Sequence, residues 1–386
     1  MRIGLVVTGG VDRSGRERVV PSLLWLVERL ARRHDVHVFV LHYYPEPCRY
    51  PLLGATVHDI GRVGGPPGIR RGLQRRRLAA AVDAQGPFDL LHAYQGMPAV
   101  VSTPIATSAG IPAVVTLDSG ELTSIDDIRY GLQRRWFDRR SIASAIRAAA
   151  RVTVATEFMA RMVPDGLSRA PVAVIPIGID AGRFLLPSRS VGADPRVRPS
   201  ARVEGPPWRL LRVASLNRVK DYPTLLHALG FMAGRGLDVH LDIVGEDTLE
   251  GSVQALTRTL HLESRVTFHG FQPTDQLAAF YARAHLHVVS SRHEAAGVVT
   301  LEAAAAGLVT AGTAVGYVAD WHPDRAVAVP VNDPAALASA VIDLLQDPPR
   351  RERLASAARA WTLAHDADWT AQQFERIYAE ILSPQA

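Results

Sequence analysis

Two glutamates, Glu294 and Glu302, stand eight residues apart in VVSSRHEAAGVVTLEAAAAG, with Gly297 between them. The apolar run ending at Ser290 reads as a buried strand, so Glu294 falls in the loop after it and Glu302 one turn into the next helix. Gly297 and the small residues around it leave backbone N–H groups available at the helix start, a cradle for an anion. Two carboxylates flanking such a cradle suit hydroxyl groups attached to a phosphate, as in a nucleotide sugar. A helix-capping acid beside a solvated glutamate is the plainer reading. Glu302 argues against it, because it lies within the apolar run VVTLEAAAAGLV, where an unpaired carboxylate is costly.

A second cluster, in ASLNRVKDYPTLLHAL, places Asn217, Arg218 and Lys220 just before a helix starting near Pro223. Lys220 is the single lysine in a chain with 43 lysines and arginines together. Lysine is a compact point charge on a flexible stem, whereas arginine is a planar fork, and a tight phosphate pocket can require the first shape. Cations at the positive end of a helix are unfavourable unless an anion sits between them. A diphosphate is the natural candidate. Signals elsewhere are weaker. Gly9 and Gly10 follow the first strand and suit either a turn or a loop that receives substrate, but their spacing is not GxGxxG, so a dinucleotide site is poorly supported. No Asp-x-Asp pair stands at a strand end, and none of these residues requires a metal. The lone cysteine, Cys48, reads as part of a proline-rich loop, YYPEPCRYP, and excludes an internal disulfide and a cysteine-based metal site.

These residues need a scaffold, and the periodicity supplies one. Through residue 180 the apolar runs IGLVV, VHVFVL, DLLHAY, PAVVTL, VTVAT and VAVIPIG alternate with helical stretches, the pattern of a parallel sheet covered on both faces. The alternation restarts with RLLRVASL, DVHLDIVG, RVTFHG, LHVVSS, LVTAG and AVAVPV. Between them lies a Pro-, Gly- and Arg-rich stretch. The expected architecture is α/β: two Rossmann-like doubly wound domains facing each other across a cleft. Residues 1–182 form the first, 183–207 the linker, 208–365 the second, and 366–386 a helix returning to the first. A length of 386 residues with 47% hydrophobic and 21% charged residues fits a soluble protein of more than one domain. The N-terminus reads as a buried strand rather than a signal peptide, and no apolar run reaches the ~18 residues of a membrane span. A cytoplasmic location is expected. Nothing in the sequence specifies an oligomeric state.

The charge is unevenly spread. The first 180 residues hold 23 arginines against 16 acidic residues, and the remainder 20 basic against 22 acidic. Arginines concentrate in RRGLQRRRLAA and YGLQRRWFDRR, mixed with Leu, Trp and Phe. No nucleic-acid motif accompanies them. A basic amphipathic surface on anionic lipid, peripheral at the inner face of the membrane, fits better. The alternative is a solvated helix face in an arginine-rich protein.

Taken together, these stretches resemble the retaining glycosyltransferases of family 4, which have the GT-B fold. Residues 290–321 look like their glutamate–seven–glutamate signature. FDLLHAYQG, VIPIGIDAGRF, VASLNRVKDYPTLLHAL, LDIVGED and RVTFHGFQPTDQLAAFYARAHLHVV extend the similarity over nearly the whole chain. The resemblance implies transfer of a sugar from a nucleoside-diphosphate sugar to an acceptor hydroxyl with retention, without a metal or further cofactor. It implies that Glu294 contacts the sugar hydroxyls and Glu302 the ribose. The amides of Ala296, Gly297, Val298 and Val299 would hold the diphosphate, with Arg218 and Lys220 neutralising it. Ser215 and Asn217 would lie on the donor side, and Gly245, Glu246, Asp247, His269, Gly270 and Phe271 around the base. Two departures matter. Many members carry arginine where this chain has Ser215, a duty that would pass to Arg218. Many carry a histidine after the strand AVVTL, where this chain reads TLDSGEL; Asp118, Glu121 or His92 would serve instead. A nucleotide-sugar epimerase, a glycogen-synthase-like enzyme and a non-catalytic nucleotide-sugar-binding protein remain alternatives of the same fold. A Rossmann oxidoreductase is disfavoured by the missing glycine fingerprint.

Overall fold

The runs read as strands do form strands in the computed structural model, which describes residues 1–185 and 204–383. Most of the linker expected over 183–207 lies outside the described residues. The chain divides into two compact units, Met1–Ile177 with Ala367–Ala386, and Gly178–Asp366.

In the first unit β1 (Arg2–Val7), β2 (Asp35–Val40), β3 (Cys48–Leu52), β4 (Ala55–Asp59), β5 (Leu90–Tyr94), β6 (Ala113–Leu117), β7 (Arg151–Val154) and β8 (Ala173–Val174) form one sheet. Their order is β3-β4-β2-β1-β5-β6-β7-β8. All neighbours are parallel except β3 and β4, which form an antiparallel hairpin at the edge. That hairpin corrects the expectation that Cys48 lies in a loop. Pro51 sits within β3, which an edge strand tolerates because one side of its ladder is unpaired. The helices are α1 (Pro21–Ala31), α2 (Pro67–Asp83), α3 (Gly96–Ala109), α4 (Trp136–Ala148) and the short α5 (Glu157–Ala160).

The second unit has β9 (Trp208–Val213), β10 (Val239–Val244), β11 (Val266–Phe268), β12 (Leu286–Val289), β13 (Thr310–Thr313) and β14 (Ala326–Val329). They are ordered β11-β10-β9-β12-β13-β14, all parallel. Its helices are α6 (Tyr222–Gly234), α7 (Ser252–Thr259), α8 (Thr274–Arg283), α9 (Val299–Ala305), α10 (Gly316–Trp321), α11 (Pro334–Gln346) and α12 (Pro348–Ala364). One core joins strand residues such as Leu210, Leu241 and Val288 to Leu225, Leu229, Leu337 and Val341 on α6 and α11. The crossover of the order at β9 and β12 opens the sheet where ligands settle in such folds.

The last helix, α13 (Ala367–Leu382), belongs to the first unit. Phe374, Ile377 and Tyr378 are buried along it, and Thr370 donates to the Pro176 carbonyl at 2.7 Å. Arg29 of α1 pairs with Asp368 at 3.1 Å. Among the described residues no helix is long and apolar enough to cross a membrane.

Candidate active site

Parallel strands end their turns at one edge of the sheet, and in the second unit the loops after β9 and β12 meet there. After β9 the chain makes one 3-10 turn, Arg218–Lys220, before α6. Asn217 caps that turn, its Oδ1 accepting from the Lys220 amide at 3.2 Å, while its Nδ2 donates to Ser215 Oγ at 2.9 Å. Asp221 then takes a left-handed conformation and caps α6 through the Thr224 amide. This geometry carries Lys220 onto the β12 loop. Its Nζ donates to both oxygens of Glu294, at 2.7 and 2.8 Å. Arg218, by contrast, is exposed and no ion pair to Glu294 forms from it.

Glu294 is largely buried. Burial pulls its carboxyl upward, but Lys220, then Arg212, and hydrogen bonds from Lys220 and Ser291 outweigh that and hold it below its ordinary value. Glu302, eight residues on, lies in the first turn of α9 with 4% of its surface exposed. Burial pushes its carboxyl up to about 7, opposed by the Tyr281 hydroxyl, which donates to it at 2.7 Å. The two glutamates therefore sit in opposite electrostatic settings, a separation typical of sites that divide roles between carboxylates. Between them Gly297 has φ +81°, and the first amide bonded back is Thr300, to the Gly297 carbonyl at 2.8 Å. Ala296, Gly297, Val298 and Val299 thus precede the helical ladder. Gly316 packs on this loop so closely that a Cβ there would collide with the Ala296 carbonyl.

The loops after β9, β10 and β11 are zipped together in turn. The Leu216 amide donates to the Glu246 carbonyl at 2.7 Å, and the Gly245 amide to the Gly270 carbonyl at 2.9 Å. A Cβ on Gly245 would strike the Ala214 carbonyl, so glycine is required there. The Asp247 carboxylate is occupied within its own loop, accepting from the Leu249 and Gly251 amides at 2.7 and 2.9 Å. His269 is half-buried, hydrogen-bonded to Asp242 at 2.6 Å, and packs edge-on against Phe280. Phe271 is exposed.

Three residues of this centre were not found from sequence: Arg212, Ser291 and Tyr281. Arg212 alone left a signal, a charged residue inside the apolar strand WRLLRV.

The first unit places its candidates differently. His92 is a core residue in the middle of β5, with Nδ1 hydrogen-bonded to the Tyr378 hydroxyl at 2.7 Å and Nε2 to Thr116 Oγ1 at 2.6 Å. Burial lowers its pKa to about 3. Both ring nitrogens are engaged and no surface is open to substrate, so His92 does not serve as the catalytic contact. Glu121 is buried too. Its oxygens accept from the Gly96 amide at 2.9 Å and the Ser119 amide at 2.7 Å, which fixes the start of α3. It borders a cavity of about 380 Å³ at the carboxyl ends of β1, β5 and β6, lined also by Thr8, Gln95, Arg129, Arg134 and Arg135. Gln95 holds φ +82° and Arg129 φ +56° in this wall, strained positions of the kind that gather at functional sites. Asp118 follows β6 at the same edge, half-buried. Gly9 and Gly10 belong to a loop braced by Asp12, which accepts from Tyr44 and Arg18 at 2.7 and 2.8 Å. Since α1 begins only at Pro21, the glycines do not form a helix-start phosphate loop.

Comparisons with known proteins agree with this architecture. Residues 194–361 match the family described as glycosyl transferases group 1, and residues 19–183 match Glycosyltransferase Family 4. The chain is 28% identical over 310 residues to a glycogen synthase of Mycobacterium tuberculosis, covering 78% of this chain and 70% of that protein. Its fold is similar to sucrose-phosphate synthase from Thermosynechococcus elongatus, with TM-score 0.82, 20% identity and full coverage of both chains. It is also similar to Anabaena HepE in complex with UDP-glucose, with TM-score 0.72, 17% identity, and 98% and 100% coverage. The chain is a glycosyltransferase of the GT-B fold. It uses a nucleotide sugar as donor.

Proposed function

We propose that this enzyme is a retaining member of glycosyltransferase family 4, acting without a metal or further cofactor, with the second unit as its donor site. The observation that carries the reading is the Lys220–Glu294 pair, which brings the two chemically marked loops to within 2.7 Å of each other. Lys220 neutralises the departing diphosphate together with Arg218 and the amides of residues 296–299. Glu294 accepts from hydroxyls of the transferred sugar, and Glu302 from the ribose. In the reaction the bond from the anomeric carbon to the diphosphate oxygen breaks and that oxygen keeps the electron pair. The acceptor oxygen bonds the same carbon on the same face, and its proton passes to the departing phosphate. Fixed cations aimed at growing negative charge are commonly the largest catalytic term. The roles above call for no metal. UDP-glucose, bound by HepE, is the first donor to try.

On the acceptor side we assign the arginine-bordered cavity of the first unit, and an anionic membrane surface beside it. Trp136 and Phe137 are 54% and 72% exposed at the start of α4, and Ile69 and Leu73 are exposed on α2. Arg71 ties the two helices together by pairing with Asp138 and donating to Ser141. Exposed aromatic side chains among arginines suit the headgroup region of a bilayer.

The test is turnover of a panel of UDP-, GDP- and ADP-sugars, with the configuration of the product read by proton NMR. An α-linked donor gives an α-linked product. Lys220→Ala lowers turnover about 100-fold or more, the scale of losing one preorganised charge stabiliser, with the fold retained by circular dichroism. Lys220→Arg is impaired as well, because the fork does not fit a point-charge site. Inverted product, or a Lys220→Arg enzyme of undiminished turnover, contradicts the reading.

A further inference from the structure

Arg212 lies in β9 with 0% of its surface exposed. Its Nη2 donates to Ser291 Oγ at 2.7 Å, and Ser291 Oγ donates in turn to Glu294 Oε1 at 2.6 Å. The guanidinium comes within 3.9 Å of the same carboxylate oxygen. Among the described residues its Nε and Nη1 have no hydrogen-bond partner of good geometry, although the guanidinium lies near enough to the Tyr222 hydroxyl to pull its pKa down against burial. A guanidinium withdrawn from water is costly unless a counter-charge stands near it, and an arginine cannot escape that cost by losing its proton. A strand of this kind would ordinarily hold an apolar residue at this position. The charge is therefore there for Glu294.

Glu294 has two cations of different character. Lys220 reaches it on a flexible stem that is 21% exposed. Arg212 is immobile in the sheet and acts partly through Ser291. The inference rests on the roles proposed above for Glu294 and Lys220. When Lys220 turns to the diphosphate, Glu294 loses both of its lysine bonds. Burial then favours the neutral acid, which donates from one oxygen and no longer accepts at both. We infer that Arg212 is a positioning residue that, directly and through Ser291, keeps Glu294 ionised and oriented while Lys220 is committed to the leaving group.

Two other titratable groups near Glu294, His287 and Tyr222, do not supply this charge. His287 of β12 is kept neutral by burial, with a pKa near 3, and shares a hydrogen bond with Thr310 at 3.1 Å. Tyr222 of α6 is pushed up to about 12 by burial and donates to the Ala214 carbonyl at 2.7 Å.

The test is kcat against pH at saturating donor, using whichever of UDP-, GDP- and ADP-glucose the enzyme turns over fastest. The variants are Arg212→Met, Arg212→Lys, Ser291→Ala and Glu294→Gln, with Kd for the matching nucleoside diphosphate as control. Arg212→Met moves the acid limb up by about one pH unit, the usual effect of one charge at this distance. At pH values below that limb its kcat falls by up to about tenfold relative to wild type and recovers above it, while Kd stays within about threefold. Arg212→Lys keeps the limb near wild type, and Ser291→Ala moves it in the same direction by less. If Arg212→Met does not fold, the Ser291→Ala limb decides. An unshifted limb in the folded variants, with Glu294→Gln inactive, overturns the inference alone. A Glu294→Gln enzyme of normal turnover overturns the role of Glu294 beneath it.

Discussion

Glu302 is the residue whose environment makes the sharpest statement about pH. In the unfolded chain it ionises near 4.5, and in the folded protein at about 7. Between those values the folded state holds the proton more tightly, so stability from this group is greatest below pH 4.5 and is lost as pH rises to 7. The full span corresponds to about 3 kcal/mol. Replacement by glutamine removes the ionisation while keeping the shape. The melting temperature of wild type should therefore fall more between pH 5 and pH 7.5 than that of Glu302→Gln, by several degrees in a thermal scan. Parallel curves would mean that Glu302 is not held in this way. Glu302 was recognisable from sequence as a carboxylate in an apolar run; its partner Tyr281 was not, because the contact joins α8 to α9 across 21 residues. The same holds for Arg212 and Ser291, which are 79 residues apart. Spacing along the chain shows which residues could do chemistry, whereas pairing between strands decides which of them meet.

At the scale of elements, buried strands were legible wherever four or more apolar residues ran together between turn signals. The β3–β4 hairpin was not, because Pro51 and Cys48 interrupt its pattern and an edge strand need not be apolar on both faces. His92 shows the converse failure. It stands at the end of an apolar run, as a catalytic histidine might, yet α13 covers it. The hydroxyls of Tyr378, Thr116 and Thr153 form one buried chain with its ring, the two threonines 2.6 Å apart. A helix from the far end of the sequence thus completes the first unit. Tyr378→Phe leaves the His92 Nδ1 without its partner, which costs about 1–3 kcal/mol for a buried polar group. Chemical denaturation should show that loss with activity per folded molecule unchanged. Undiminished stability would mean that the hydrogen bond is not what fastens α13.

For the whole molecule the open matter is what the arginine-rich face meets. Each basic residue near an anionic surface contributes about 1 kcal/mol, so several acting together suffice for reversible binding, with Trp136 and Phe137 adding apolar contact. Arg134 is partly committed to Asp126, at 3.0 Å, so Arg135, Arg139 and Arg140 should carry more of the effect. The enzyme should co-sediment with vesicles containing anionic lipid, dissociate as salt rises, and bind less when Arg134, Arg135, Arg139 and Arg140 are changed to glutamine. Wild-type protein left in the supernatant at low salt would point to a soluble acceptor instead.

Comparing Glu294→Gln with Glu302→Gln tests the second-unit donor site most directly, by measuring kcat and nucleoside-diphosphate Kd for each. Glu294 is assigned to the sugar and Glu302 to the ribose. Glu294→Gln should lower kcat by about 100-fold and leave Kd within about threefold of wild type. Glu302→Gln should weaken Kd by about tenfold, the scale of one hydrogen bond to a charged group, with the smaller loss in kcat. Equal loss of nucleoside-diphosphate affinity in both variants, or full turnover in Glu294→Gln, would contradict that division of roles.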